Sequence, residues 1–141
     1  MIKFLVPVDG SASAERAVRH LIQLVRCPEA AEIHLLNVRP PIVAWEVRRF
    51  LTDEEIAETQ SSEGENDLLS ARALLDEAGL PYSAQVLVGP IAQTIADYAT
   101  EQGCDAIVMG SHGRDEFANL LMGSVATKVI HLVKIPVTLV Q

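Results

Sequence analysis

Apolar residues follow two alternating rhythms along the chain. Five short runs are almost continuously apolar: Ile2–Val8 with only Lys3 charged, Glu32–Val38 on Ile33, Leu35, Leu36 and Val38, Ser83–Val88, Asp105–Met109 and Pro136–Val140. Short runs that lack a polar face suit strands covered on both sides, as in a parallel sheet. Between them, apolar positions recur every three or four residues. Ala14, Ala17, Val18, Leu21, Ile22 and Val25 predict a helix over 12–26, ending near Cys27-Pro28. Ile56 opens a weaker pattern that firms at Leu68, Leu69, Ala71, Leu74, Leu75 and Ala78 and stops at Gly79. Both Thr52-Asp53-Glu54-Glu55 and Ser62-Glu63-Gly64-Glu65 fit a capping box, so this segment reads as one long helix or as two. Pro90 suits the first turn of a third helix with Ile91, Ala92, Ile95, Ala96 and Ala99 as its face. A last helix runs from Ser124 to Val133 on Val125, Ala126, Val129, Ile130 and Val133.

Strands alternating with helices predict an α/β fold, a doubly wound parallel sheet with helices on both faces and right-handed crossovers. A length of 141 residues corresponds to one domain, 1–141. The 49% hydrophobic content is too high for disorder, and no apolar run reaches the roughly 18–20 residues of a membrane span. Met1–Pro7 is too short and too soon interrupted for a signal peptide, so a cytoplasmic location is expected. The net charge is −8 and the eleven Lys and Arg residues are scattered, which argues against nucleic acid or an anionic membrane as partner. The acidic stretch 53–65 reads as a solvated helix face. Cys27 and Cys104 have neither CxxC nor zinc-like spacing and read as free thiols in a reducing compartment. Arg39–Leu51 carries Pro40, Pro41, Trp45 and Arg48-Arg49 without a period, and fits a binding loop or lid as well as a plain surface loop.

In an open α/β sheet, ligands sit beyond the carboxyl ends of the strands where the strand order reverses. Pro7-Val8-Asp9-Gly10-Ser11 follows the first strand, and Gly110-Ser111-His112-Gly113 follows the fourth, with Gly123-Ser124 opening the last helix. Gly110 and Gly113 admit positive φ and close backbone approach to a ligand. Their N–H groups can form an anion nest, and the helix start at Gly123-Ser124 attracts phosphate. Arg114 and His112 lie close enough in sequence to add charge. The better-known phosphate motifs are absent: there is no GxxxxGK[ST] and no GxGxxG in the first strand–helix turn. A nucleophile elbow at Ser111 would need glycine where Met109 stands. A phosphoreceiver would need an aspartate after the third strand, where Val88-Gly89-Pro90 stands. His20, His34, His112 and His131 lie in different elements and share no metal-binding helix face.

Gly110-x2-Gly113-x9-Gly123-Ser124 resembles the nucleotide-binding signature of the universal stress protein family. Its flanks, Ile107–Arg114 and Gly123-Ser124-Val125-Ala126 through Ile135-Pro136-Val137, resemble the family too. So do Val6-Pro7-Val8-Asp9-Gly10-Ser11, Asn37-Val38 and Gly89-Pro90, and the likeness spans essentially the whole chain. It implies a five-stranded parallel sheet of order 3-2-1-4-5, like that of the adenine nucleotide alpha hydrolases. It also implies ATP, with Mg²⁺ as a possible companion, in the crevice between strands 1 and 4, and a homodimer through the last strand, 136–140. By that likeness Asp9 and Val38 contact adenine with Pro7 and Val8 nearby. Met109 and Gly110 line the ribose side. Gly113, Arg114, Gly123, Ser124 and Val125 hold phosphates, with His112 beside them. Asp115-Glu116 depart from the family pattern and would repel a triphosphate unless they face solvent or help hold magnesium. The expected function is that of a cytoplasmic ATP-binding stress-response regulator. Its rivals are an interaction protein with a vestigial site and a slow ATPase or self-phosphorylating enzyme with Ser111 or Ser124 as acceptor.

Overall fold

A computed structural model describes residues 1–42, 49–113 and 122–141. The elements run β1 (Ile2–Pro7), α1 (Ala12–Leu24), a short 3₁₀ turn (Pro28–Ala30), β2 (Ala31–Arg39), α2 (Asp53–Glu77), β3 (Ser83–Val88), α3 (Ile91–Glu101), β4 (Ala106–Gly110), α4 (Ser124–Leu132) and β5 (Val137–Val140). The five strands pair in parallel in the order β3-β2-β1-β4-β5, as the resemblance implied. β1 lies at the centre, Val6 opposite Leu35 on one side and Leu5 opposite Ile107 on the other.

Alternation along each strand feeds two cores. Val6, Ile33, Leu35 and Val108 point towards α1 and α2, where they meet Val18, Leu21, Leu68 and Leu75. Leu5, Leu36, Ile107 and Met109 point the other way, onto Ile95, Tyr98 and Val129 of α3 and α4. Burial on both faces is why the strands read as near-continuous apolar runs.

The segment left open as one helix or two is a single helix of 25 residues. Thr52 caps it: its hydroxyl accepts the Glu55 N–H at 3.1 Å and donates to the Glu55 carboxylate at 3.2 Å. The second capping box, at Ser62, therefore starts nothing and lies mid-helix. The buried stripe runs Ile56, Gln60, Gly64, Asp67, Leu68, Ala71, Leu75, and between Ile56 and Leu68 it is polar or small, which is why the apolar pattern there is weak. A Cβ at Gly64 would stand 2.5 Å from Val86 Cγ1 and 2.8 Å from Asn37 Oδ1, so only glycine lets α2 lie this close to β2 and β3. The acidic side chains of the 53–65 stretch face solvent, as expected.

Candidate functional site

The chain leaves β1 towards β2 on one side of the sheet, while β4 sits on the other, so the order reverses at the β1/β4 boundary. A crevice with about 580 Å³ of empty space, open to solvent, lies there. β1 and its exit bring Pro7, Val8 and Asp9 to it, and β2 brings Leu36 and Val38. β4 and the loop after it bring Met109, Gly110, Ser111, His112 and Gly113; Gly123, Val125 and Ala126 come from the start of α4. Ile91 and Ile95 of α3 complete the apolar wall, and Ser11 and Ala14 of α1 stand beside Asp9.

Hydrogen bonds hold this frame. The Val8 N–H donates to Leu36 O at 2.8 Å, extending the β1–β2 ladder past the strand end. Asp9 Oδ1 accepts the Ser11 N–H at 2.9 Å, and Ser11 Oγ accepts the Ala14 N–H at 3.1 Å to cap α1. On the other wall the Ser111 N–H donates to Val140 O at 3.0 Å, and the Gly123 N–H donates to Ser111 O at 2.6 Å. The His112 N–H reaches Ser13 Oγ at 3.4 Å, and the Ser111 hydroxyl bonds His112 Nδ1 at 2.9 Å. Ser111 lines the crevice but is only 1% exposed.

One sequence expectation is corrected here. Gly110 does not adopt positive φ, and its missing Cβ makes room for the chain itself: a Cβ would lie 2.3 Å from Ser13 Oγ and 2.7 Å from the Ser13 carbonyl carbon. Pro7, Val8, Asp9, Val38, Met109, Gly110, His112, Gly113, Gly123 and Val125 do share the crevice. Ser124 opens α4 beside two of them but is exposed and does not line it. Arg114, Asp115 and Glu116 lie outside the described residues, as does Trp45. Sequence reading missed Leu36, Ile91, Ile95 and Ala126 as site residues, because their periodicity marks them as core and they are core and wall at once.

Chemically, the lining is mostly apolar, with Asp9 and His112 its titratable groups among the described residues. α4 starts at the crevice, and its cap, Gly123, has no side-chain oxygen to offer the first-turn N–H groups. An apolar wall ending at a helix N-terminus suits a ligand with a flat apolar body and an anionic end. Among the described residues no three His, Cys, Asp or Glu side chains come together to hold a metal ion, and no helix is long and apolar enough to cross a membrane.

A second polar cluster sits at the opposite end of the sheet. His34, buried in β2, bonds Tyr98 Oη through Nδ1 at 2.8 Å and Glu32 Oε2 through Nε2 at 2.7 Å. An ionised carboxylate only accepts, so Nε2 carries the proton. Lys3 Nζ lies 3.3 Å from the same carboxylate oxygen. Hydrogen bonds from His34 and then Lys3 hold the Glu32 carboxyl below its ordinary range, whereas burial pushes the Tyr98 hydroxyl and the Cys104 thiol up.

Fold and crevice together define a doubly wound, Rossmann-like α/β protein with an open crevice at the β1/β4 switch point. The model of the universal stress protein family matches residues 1–141, and the chain belongs to that family. It is 29% identical to Universal stress protein MJ0531 of Methanocaldococcus jannaschii over 99% of this chain and 81% of that one. The solved structure of protein MJ0577 superposes with a TM-score of 0.84 at 30% identity, covering 99% of this chain and 94% of that one. A universal stress protein family structure from Arabidopsis thaliana, solved with AMP bound, has the same fold at 18% identity and a TM-score of 0.71, covering 99% and 91%.

Proposed function

We propose that the crevice binds an adenine nucleotide, ATP in the form the family resemblance implies, and that the protein is a cytoplasmic regulator of the stress response rather than an efficient enzyme. The observation that carries this reading is convergence: residues of β1, β2, β4 and α4 that the family resemblance names line one crevice at the switch point. The AMP-bound relative of the same fold supports it. In this reading Asp9 and Val38 face the base with Pro7 and Val8. Met109 and Gly110 flank the ribose. Gly113, Arg114, Gly123, Ser124 and Val125 meet the phosphates, with His112 beside them. A homodimer is proposed through β5, which lies at the edge of the sheet and whose apolar Val137, Leu139 and Val140 call for cover.

The test is calorimetric titration of the nucleotide-free protein with ATP and AMP, with and without Mg²⁺, against Val125→Glu. That variant places a carboxylate where the phosphates would lie and should weaken ATP at least tenfold, about 1.4 kcal/mol. Unchanged affinity puts the nucleotide elsewhere. No heat at millimolar nucleotide refutes the reading and leaves the interaction-protein alternative.

A further inference from the structure

The geometry points to Asn37 as a positioning residue that couples helix α2 to the crevice through a buried polar latch on the far face of the sheet. The inference deepens the nucleotide-binding reading and rests on it.

Along β2, Leu36 and Val38 reach the crevice, so Asn37 and Arg39 face α2. Asn37 is 1% exposed. Its Nδ2 donates to Val8 O at 2.8 Å and to Asp67 Oδ2 at 3.3 Å. Asp67, itself buried, also accepts from Arg39 Nη1 at 3.0 Å, and the other arm of that guanidinium pairs with Glu63. One turn earlier, Gln60 Nε2 donates to Pro40 O at 3.0 Å. The polar half of the α2 stripe is therefore spent on the end of β2 and on the turn after β1.

Two details make Asn37 the centre of this latch. Its Oδ1 has no partner among the described residues and sits against Gly64, where a Cβ would come within 2.8 Å. Turning the amide over would aim that oxygen at the Val8 carbonyl and the Asp67 carboxylate, so the bonds fix its orientation. The second detail is where the amide acts. Val8 lies past the end of β1, and Asn37 supplies its carbonyl with a donor while Leu36 O takes its N–H. Val8 is thus held through both its N–H and its carbonyl, and with it the direction in which the chain enters Asp9 and the crevice. Displacing α2 would act on the nucleotide site through Asn37 without touching the ligand.

The test compares wild type, Asn37→Leu, Asp67→Asn and Tyr98→Phe, the last removing a buried bond at the other end of the sheet. ATP affinity is measured by calorimetry well below each melting point, and amide exchange of Ser11 is followed in the nucleotide-free proteins. Asn37→Leu should weaken ATP at least tenfold and speed Ser11 exchange by a similar factor. Asp67→Asn keeps an oxygen that accepts from Asn37 and should stay within threefold of wild type. Tyr98→Phe should lower the melting point with affinity unchanged. Affinity of Asn37→Leu within twofold of wild type, or an equal loss in Tyr98→Phe, overturns the coupling. If wild type binds no ATP or AMP, the functional reading fails by itself, and Ser11 exchange then decides: a rate unchanged in Asn37→Leu refutes the latch. If Asn37→Leu does not fold, Asn37→Ala takes its place with the same expectations.

Discussion

Replacing Gly110 with alanine separates a glycine kept for the fold from one kept for a ligand. The new Cβ would stand 2.3 Å from Ser13 Oγ, 2.7 Å from the Ser13 carbonyl carbon and 2.8 Å from its oxygen. The hydroxyl can rotate away, but the carbonyl cannot move without shifting the first turn of α1. That turn is pinned by the Ser11 cap and the Asp9–Ser11 turn. Overpacking of this kind costs about 1–3 kcal/mol. Alanine also stiffens the unfolded chain, which offsets about 0.4–1 kcal/mol. The net loss is about 1–2 kcal/mol, or roughly 3–8 °C in melting temperature for a chain of this size. Thermal and urea unfolding of nucleotide-free protein read it directly. Adding Ser13→Ala removes the closest contact and leaves the carbonyl contacts, so it should recover only part of the loss. A nucleotide-free melting point within 1 °C of wild type would refute the reasoning and return Gly110 to the role its motif suggests, admitting a ligand.

Gly64→Ala inverts the usual helix rule. Alanine ordinarily gains about 1 kcal/mol over glycine inside a helix, but the contacts with Val86 and Asn37 should turn this into a loss of about 1 kcal/mol in urea unfolding; a stabilised variant would contradict the close approach of α2. Glu32 contributes stability that is present above the ordinary carboxyl pKa of 4.5 and lost as pH falls through its lowered folded value. Glu32→Gln should therefore flatten the acid limb of the stability–pH curve below about pH 5, and an unchanged limb would refute the role of the His34 and Lys3 bonds. Iodoacetamide at pH 8 should label exposed Cys27 quickly and Cys104, 5% exposed with its thiol pushed up by burial, only on unfolding. Equal labelling by mass spectrometry would contradict the packing of α3.

Where periodicity and burial agree, the fold was legible: α1 and α3 show their apolar stripes in the sequence, and the strands show as runs because both faces are covered. α2 was hard to read because half of its inward stripe bonds rather than packs. Gln60 and Asp67 face protein polar groups, and Gly64 is there for clearance, so no hydrophobic pattern could mark them. Strand order and the expectation of adenine came from the family resemblance, since periodicity carries no information on which strands neighbour. The site's loops were found by their glycines, but the reason for Gly110 was misassigned because its contact, Ser13, is distant in sequence. The apolar wall of Leu36, Ile91 and Ile95 was invisible as a site for the opposite reason: a residue that is core along most of its surface gives no sign that one edge meets a crevice.

The central claim is that an adenine nucleotide occupies the crevice between β1 and β4. Titration of isotope-labelled, nucleotide-free protein with ATP and then AMP, followed amide by amide in nuclear magnetic resonance spectra, tests it most directly. The account predicts saturable shifts centred on Val8, Asp9, Val38, Gly110, Gly123 and Val125, with amides around His34 and Glu32 at the far end of the sheet unmoved. Shifts centred elsewhere, or none at millimolar nucleotide, would contradict it.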